Sequence, residues 1–132
     1  MTRRNKNKVF IVMVAVLLTT AVTVFALTDY TDNFSLAYMK WNRSKYIKTV
    51  SKYPLVQYKV QNSDNCTLKV TLSKKAYLGL GFENVEVAHT DISGNKYSYT
   101  KFKEHTANKE YLITTLNTTS NSIANAEYTF TS

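Results

Sequence analysis

The chain has one Cys, one Pro, three Gly, one Trp and two His in 132 residues, and these shortages exclude several classes of protein. A single thiol forbids an intramolecular disulfide framework and a four-Cys zinc site. So few Gly and Pro residues rule out collagen-like or linker-like material. There is no H-E-x-x-H motif, no Gly-rich phosphate loop and no nucleophile elbow, and no pair of carboxylates stands out as a glycosidase constellation. What is present is 44% hydrophobic, 20% charged and 13% aromatic residues, with ten Tyr. That balance suits a folded globular chain and is too aromatic for disorder.

Residues 1–8 carry four positive charges and no negative one, and residues 9–27 run for nineteen positions without a charge, Gly or Pro. A basic flank before an apolar run is the pattern of an export signal. The run closes on Val24, Phe25 and Ala26, small enough at the outer positions for a signal peptidase, so cleavage is expected between Ala26 and Leu27. The alternative is a retained anchor over 9–27, since roughly 18 apolar residues span a bilayer and the basic flank would stay in the cytoplasm. Either way an N-terminal hydrophobic helix, as signal peptide or anchor, precedes a domain at 27–132 that lies outside the membrane.

Charge follows the same division. Four of the 17 Lys and Arg belong to residues 1–8, leaving 13 against nine Asp and Glu. Much of the basic character is therefore a targeting signal, and a nucleic-acid partner is not expected. The remaining positive field would favour anionic envelope polymers or lipid headgroups.

Beyond residue 27 the apolar period is two. Cys66, Leu68, Val70 and Leu72 alternate with Thr67, Lys69, Thr71 and Ser73, which predicts a half-buried strand. Val56, Tyr58 and Val60 alternate just before it, after Pro54, and Asn62, Ser63, Asp64 and Asn65 predict a hairpin turn between the two. A second hairpin is predicted with Val85, Val87 and His89 on one arm, a tip at Ser93, Gly94 and Asn95, and Tyr97 and Tyr99 on the other. Further strands are expected at 111–116 and 126–131, joined by a polar loop at 117–122, and at 76–82, where Gly79 and Gly81 would mark a bulge. Residues 34–41 read as an edge strand. The sum is an all-β fold, a small antiparallel β-sandwich of six or seven strands.

Candidate chemistry is sparse. Cys66 with a histidine base is formally a nucleophile pair, but it sits on the apolar face of a strand, where a thiol behaves as a small hydrophobe. His89 and Asp91 stand two apart, and a metal would need His105 or Glu104 as a further ligand. Neither pattern predicts an enzyme, a metal site or a cofactor. The aromatic residues are more informative. Tyr30, Tyr38, Trp41, Tyr46, Tyr53 and Tyr58 interleave with Lys and Arg, and exposed rings beside cations bind sugars, lipid interfaces or proteins. The expected binding surface is Tyr38, Lys40, Trp41, Arg43, Tyr46, Lys48 and Tyr53.

The basic segment ending in VFA, the TDYTDNF stretch after it, the turn-rich strand pattern and the final AEYTFTS strand without a wall-sorting tail resemble the small secreted β-sandwich proteins of Gram-positive bacteria. This group includes lactococcin-type bacteriocin-like and related exported families, and the resemblance is one of layout over the whole chain. It implies the β-sandwich fold and secretion, and the leading expectation is a secreted, non-enzymatic protein that binds at a cell envelope, with a bacteriocin-like role as one form. Its partner would be an envelope polymer, a lipid or a membrane protein. The alternatives are an anchored extracellular accessory protein that docks a partner and, more remotely, an extracellular enzyme. Edge strands leave homo-oligomerisation open.

Overall fold

A computed structural model describes residues 29–131. The expected N-terminal helix, the cleavage position at Ala26 and Leu27 and the alternative anchor at 9–27 lie outside the described residues. Among those described, the chain is all-β, with nine strands and a single three-residue helical turn at Tyr77–Gly79. The strands are β1 (Asp29–Ala37), β2 (Trp41–Arg43), β3 (Ile47–Lys48), β4 (Leu55–Val60), β5 (Ser63–Lys75), β6 (Phe82–Gly94), β7 (Tyr97–Lys101), β8 (Glu110–Asn117) and β9 (Ile123–Thr131). They form two antiparallel sheets, β1-β9-β4-β7 and β2-β8-β5-β6, with β3 also paired to β8. The strands beyond the six or seven expected are the short β2 and β3, too brief for a period to register.

The period-two alternation determines which side chains meet between the sheets. Phe34, Val56, Tyr58, Ala126, Tyr128 and Phe130 from the first sheet pack against Leu68, Val70, Leu72 and Ile113 from the second in one buried cluster. Each large apolar side chain removed from water contributes about 1.5–3 kcal/mol. Polar groups that enter this layer are paired. Thr100 Oγ1 donates to the Tyr58 hydroxyl and shares a hydrogen bond with Thr90, and the Tyr128 hydroxyl donates to Asn42 Oδ1 at 2.8 Å. Asn117, fully buried where β8 gives way to the crossing toward β9, donates to the carbonyls of Leu36 and Ser122 and accepts from the amide of Thr119.

Both expected hairpins are corrected. β4 and β5 do not pair; they lie in different sheets, as do β6 and β7. Asn62 adopts a left-handed φ of 48°, the Gln61 amide bonds the Asn125 carbonyl, and Ser63 Oγ donates to that same carbonyl. The end of β4 is thus held to β9 while the chain turns across the core. Two consecutive amphipathic strands can bury their apolar faces side by side or face to face, and alternation alone does not distinguish the two. Residues 76–82 are likewise no bulged strand. Residues 76–81 are the connection of the hairpin that does form, β5 to β6, and Phe82 opens β6 opposite Lys75.

This hairpin sits at a definite end of the fold. The ladders align the end of β5 (Lys74) with the start of β8 (Tyr111), and Ile47 with Tyr111. Lys45 reaches over the ring of Tyr30, so the first residues of β1 lie at that end as well. The opposite end carries the turns at 38–40, 62 and 118–122.

Candidate functional site

The β5–β6 connection is a protruding tip. Its backbone is closed by bonds from the Gly79 amide to the Ala76 carbonyl and from the Ala76 amide to the Gly81 carbonyl. Leu78, Gly79 and Gly81 all take positive φ, at 63°, 70° and 77°. Gly does so without cost, whereas a residue with a Cβ is disfavoured there by about 1–2 kcal/mol. The side chains of Tyr77, Leu78 and Leu80 are 88%, 78% and 79% exposed. Three large apolar groups therefore stand in solvent on six residues of chain. Lys74 and Lys75 flank them, paired across the surface with Glu83 and Glu110.

The root of this tip is tied across the outer face of the second sheet. Trp41 and Arg43 lie opposite Leu116 and Thr114 and point outward, while Asn42 between them points into the core. The Arg43 guanidinium is held between two rings, 4.8 Å from the centre of Trp41 and 4.4 Å from that of Phe82. The Tyr46 hydroxyl approaches the Gly81 carbonyl at 3.5 Å, and Lys75 lies over the Tyr46 ring. Leu112 and Ser73, on the outer face at this level, are buried although they face away from the core. Beside them Trp41, Arg43, Lys69, Thr71, Thr114 and Leu116 line a shallow depression of about 170 Å³. At this depression Thr114 Oγ1 is shielded from solvent with no hydrogen-bond partner among the described residues.

The residues expected to form one binding surface are divided by the fold. Tyr38 and Lys40 belong to the turn between β1 and β2, at the end opposite the tip. Trp41 and Arg43 lie on the outer face of the second sheet, and Tyr46 and Lys48 lie beside the tip, Lys48 opposite Glu110. Tyr53 is exposed in the loop before β4. Tyr58, counted among the interleaved aromatics, is a core residue whose burial pushes its hydroxyl up to about 12. Tyr77, Leu78, Leu80 and Phe82 were missed because Leu78, Leu80 and Phe82 alternate with Gly79 and Gly81 as a strand would. The signal available was two glycines within three positions, Gly79 and Gly81, four residues beyond the Lys74 and Lys75 pair.

Titratable groups do not gather into a reactive centre among the described residues. Cys66 faces the core, whereas His89 lies opposite Lys69 on the outer face of the same sheet. His105 is held elsewhere, its Nε2 bonded to Glu86 Oε2 at 2.5 Å, with the Lys103 amide donating to the same carboxylate. Asp91 accepts from Thr67 Oγ1 and Glu104 pairs with Lys52, so the ligand set considered around His89 is not assembled. No group of three or more His, Cys, Asp or Glu able to hold a metal occurs among the described residues. A cleft of about 830 Å³ lies under the tip between Lys74, Glu83, His105, Lys109, Glu110 and Tyr111. Its cations and carboxylates alternate, which gives it no strong preference for either sign of ligand.

No protein-family model matches the chain, and no curated protein matches it significantly. Among the described residues no helix is long and apolar enough to cross a membrane.

Proposed function

We propose that this chain is an exported, non-enzymatic β-sandwich protein that binds at a cell envelope. The observation that carries the reading is the exposed apolar tip at 77–80, continued by the Phe82, Arg43 and Trp41 stack and bordered by Lys74 and Lys75. A soluble monomer gains nothing from Tyr, Leu and Leu in solvent on a strained turn. Exposed apolar groups ringed by charge are the ordinary form of an interaction site. The basic n-region and the apolar run at 9–27 supply the route out of the cell. A bacteriocin-like, competitive role is one form such envelope binding would take.

A second reading, an anchored accessory protein with 9–27 retained, is favoured by one observation. The tip and the first residues of β1 lie at the same end of the fold. Fractionation of producing cells with intact-mass measurement separates the two. A soluble extracellular species starting at Leu27, which sediments with added envelopes, supports the first reading. A full-length species in the membrane fraction supports the second, and a cytoplasmic species contradicts both.

A further inference from the structure

We infer that the tip at 77–80 is a lipid-inserting element, and that the end of the fold bearing it docks end-on onto an anionic bilayer. This rests on the envelope-binding reading and assigns its partner. Charge on the same end points to an anionic surface. The segments 43–52, 74–86 and 101–111 that build it carry nine Lys and Arg against four Glu. Asp29 and Asp32 at the start of β1 lower the excess without reversing it. Each cation near an anionic membrane strengthens association about fivefold.

Chain direction points the same way. The apolar run at 9–27 ends two residues before Asp29, a span of at most about 7 Å. The Lys45 contact with Tyr30 and the ladder alignment place the start of β1 at the end that carries the tip. A chain still held at residue 27 would therefore present this end to the bilayer, and a cleaved one keeps the tip as its apolar contact. Leu78 bears on the choice of element as well. It combines a left-handed backbone with an exposed apolar side chain, two costs in water at one position. In a bilayer interface the second becomes a gain. Trp41 stands opposite Leu116, which pairs with Lys69, six residues before Lys75. The backbone of Trp41 is thus set back from the tip along the sheet, but its ring is brought to the root, since Trp41 and Phe82 each lie within 5 Å of the Arg43 guanidinium.

The test is flotation of the chain from Leu27 with vesicles of phosphatidylcholine alone or mixed with phosphatidylglycerol. Residues 29–131 contain both sheets and the whole core cluster, so this species retains the described fold. Binding is expected to the anionic vesicles, to weaken with salt, and to fall at least about tenfold in Leu78→Asn/Leu80→Asn. In a Trp41→Phe/Tyr77→Trp variant, whose single Trp stands at the exposed tip position, emission is expected to shift to the blue on binding. Asn suits the left-handed position, so the double-Asn variant keeps its fold, which its unfolding midpoint verifies. Flotation of Leu78→Asn/Leu80→Asn equal to wild type overturns the role of the tip, and an unshifted emission from the Trp at position 77 in bound protein overturns end-on docking. Sedimentation with native envelopes but not with vesicles overturns the lipid assignment and leaves the envelope reading standing. Association with neither removes both. A dimer in sedimentation velocity that the double-Asn variant abolishes assigns the tip to a second copy and overturns the inference.

Discussion

The Arg43 guanidinium lies 4.4 Å from the centre of the Phe82 ring although the two residues belong to β2 and β6, the opposite edges of one sheet. The side chains meet over the outer face, above β8 and β5, and Trp41 closes the other side of the guanidinium. This contact ties the root of the hairpin to the far edge of its sheet. Arg43→Ala is expected to lower stability by about 1 kcal/mol, the scale of a partly exposed cation–π pair. It should also speed amide exchange at 76–82 more than elsewhere, as hydrogen-exchange mass spectrometry would record. Uniform exchange across the sheet would show that the stack holds nothing in place.

Leu78 is expected to be replaced with a gain. Asn enters the left-handed region far more readily than Leu, and no buried contact is lost at an exposed position. Leu78→Asn should raise stability by about 0.5–1 kcal/mol in urea titration. A loss of stability would mean that the side chain has a packing role in the free protein.

Alkaline pH should unfold the protein through its buried phenols. Burial holds the Tyr58 hydroxyl at about 12, against an ordinary 10.0, and pushes Tyr128 upward as well, with Tyr30 and Asp32 adding to the effect. Below pH 10 both folded and unfolded chains keep the Tyr58 proton, so its contribution to stability is fully present. Above that value the unfolded chain loses the proton while the folded one retains it, and stability falls as pH rises through 12. Two units correspond to about 3 kcal/mol. Tyr58→Phe should flatten this decline, which denaturation at a series of alkaline pH values would measure.

Asn117 donates to the backbone carbonyls of two buried residues, Leu36 and Ser122. Asn117→Ala removes the donors to Leu36 and Ser122 from a fully buried site and is expected to cost about 2–3 kcal/mol. Equilibrium urea denaturation gives the value, and a change below about 0.5 kcal/mol would mean that the crossing is held by other bonds.

Cys66 should be silent in the native state. Its thiol faces the core between Leu68 and Ile92, so a thiol reagent is expected to label the folded protein only as fast as the chain unfolds. Rapid stoichiometric labelling under native conditions would contradict the burial.

Alternation of apolar and polar residues determined what could be read without coordinates. It marked the class of fold, the strands around 56–60, 66–73, 111–116 and 126–131, and the inward set Cys66, Leu68, Val70 and Leu72, because burial of one face of a strand is a local property of period two. Pairing was another matter. Whether β4 lies beside β5 or across from it depends on which arrangement satisfies the Gln61 amide and the Ser63 hydroxyl, and both bonds are made to Asn125, some sixty residues away. The interleaved aromatics at 38–58 were visible, but only the folded sheets decided that Tyr58 joins the core while Tyr38 and Tyr46 go to opposite ends. The tip was hidden because Tyr77, Leu78 and Leu80 resemble a strand until Gly79 and Gly81 turn left-handed. A turn becomes an exposed apolar site only when long-range pairing leaves nothing to cover it.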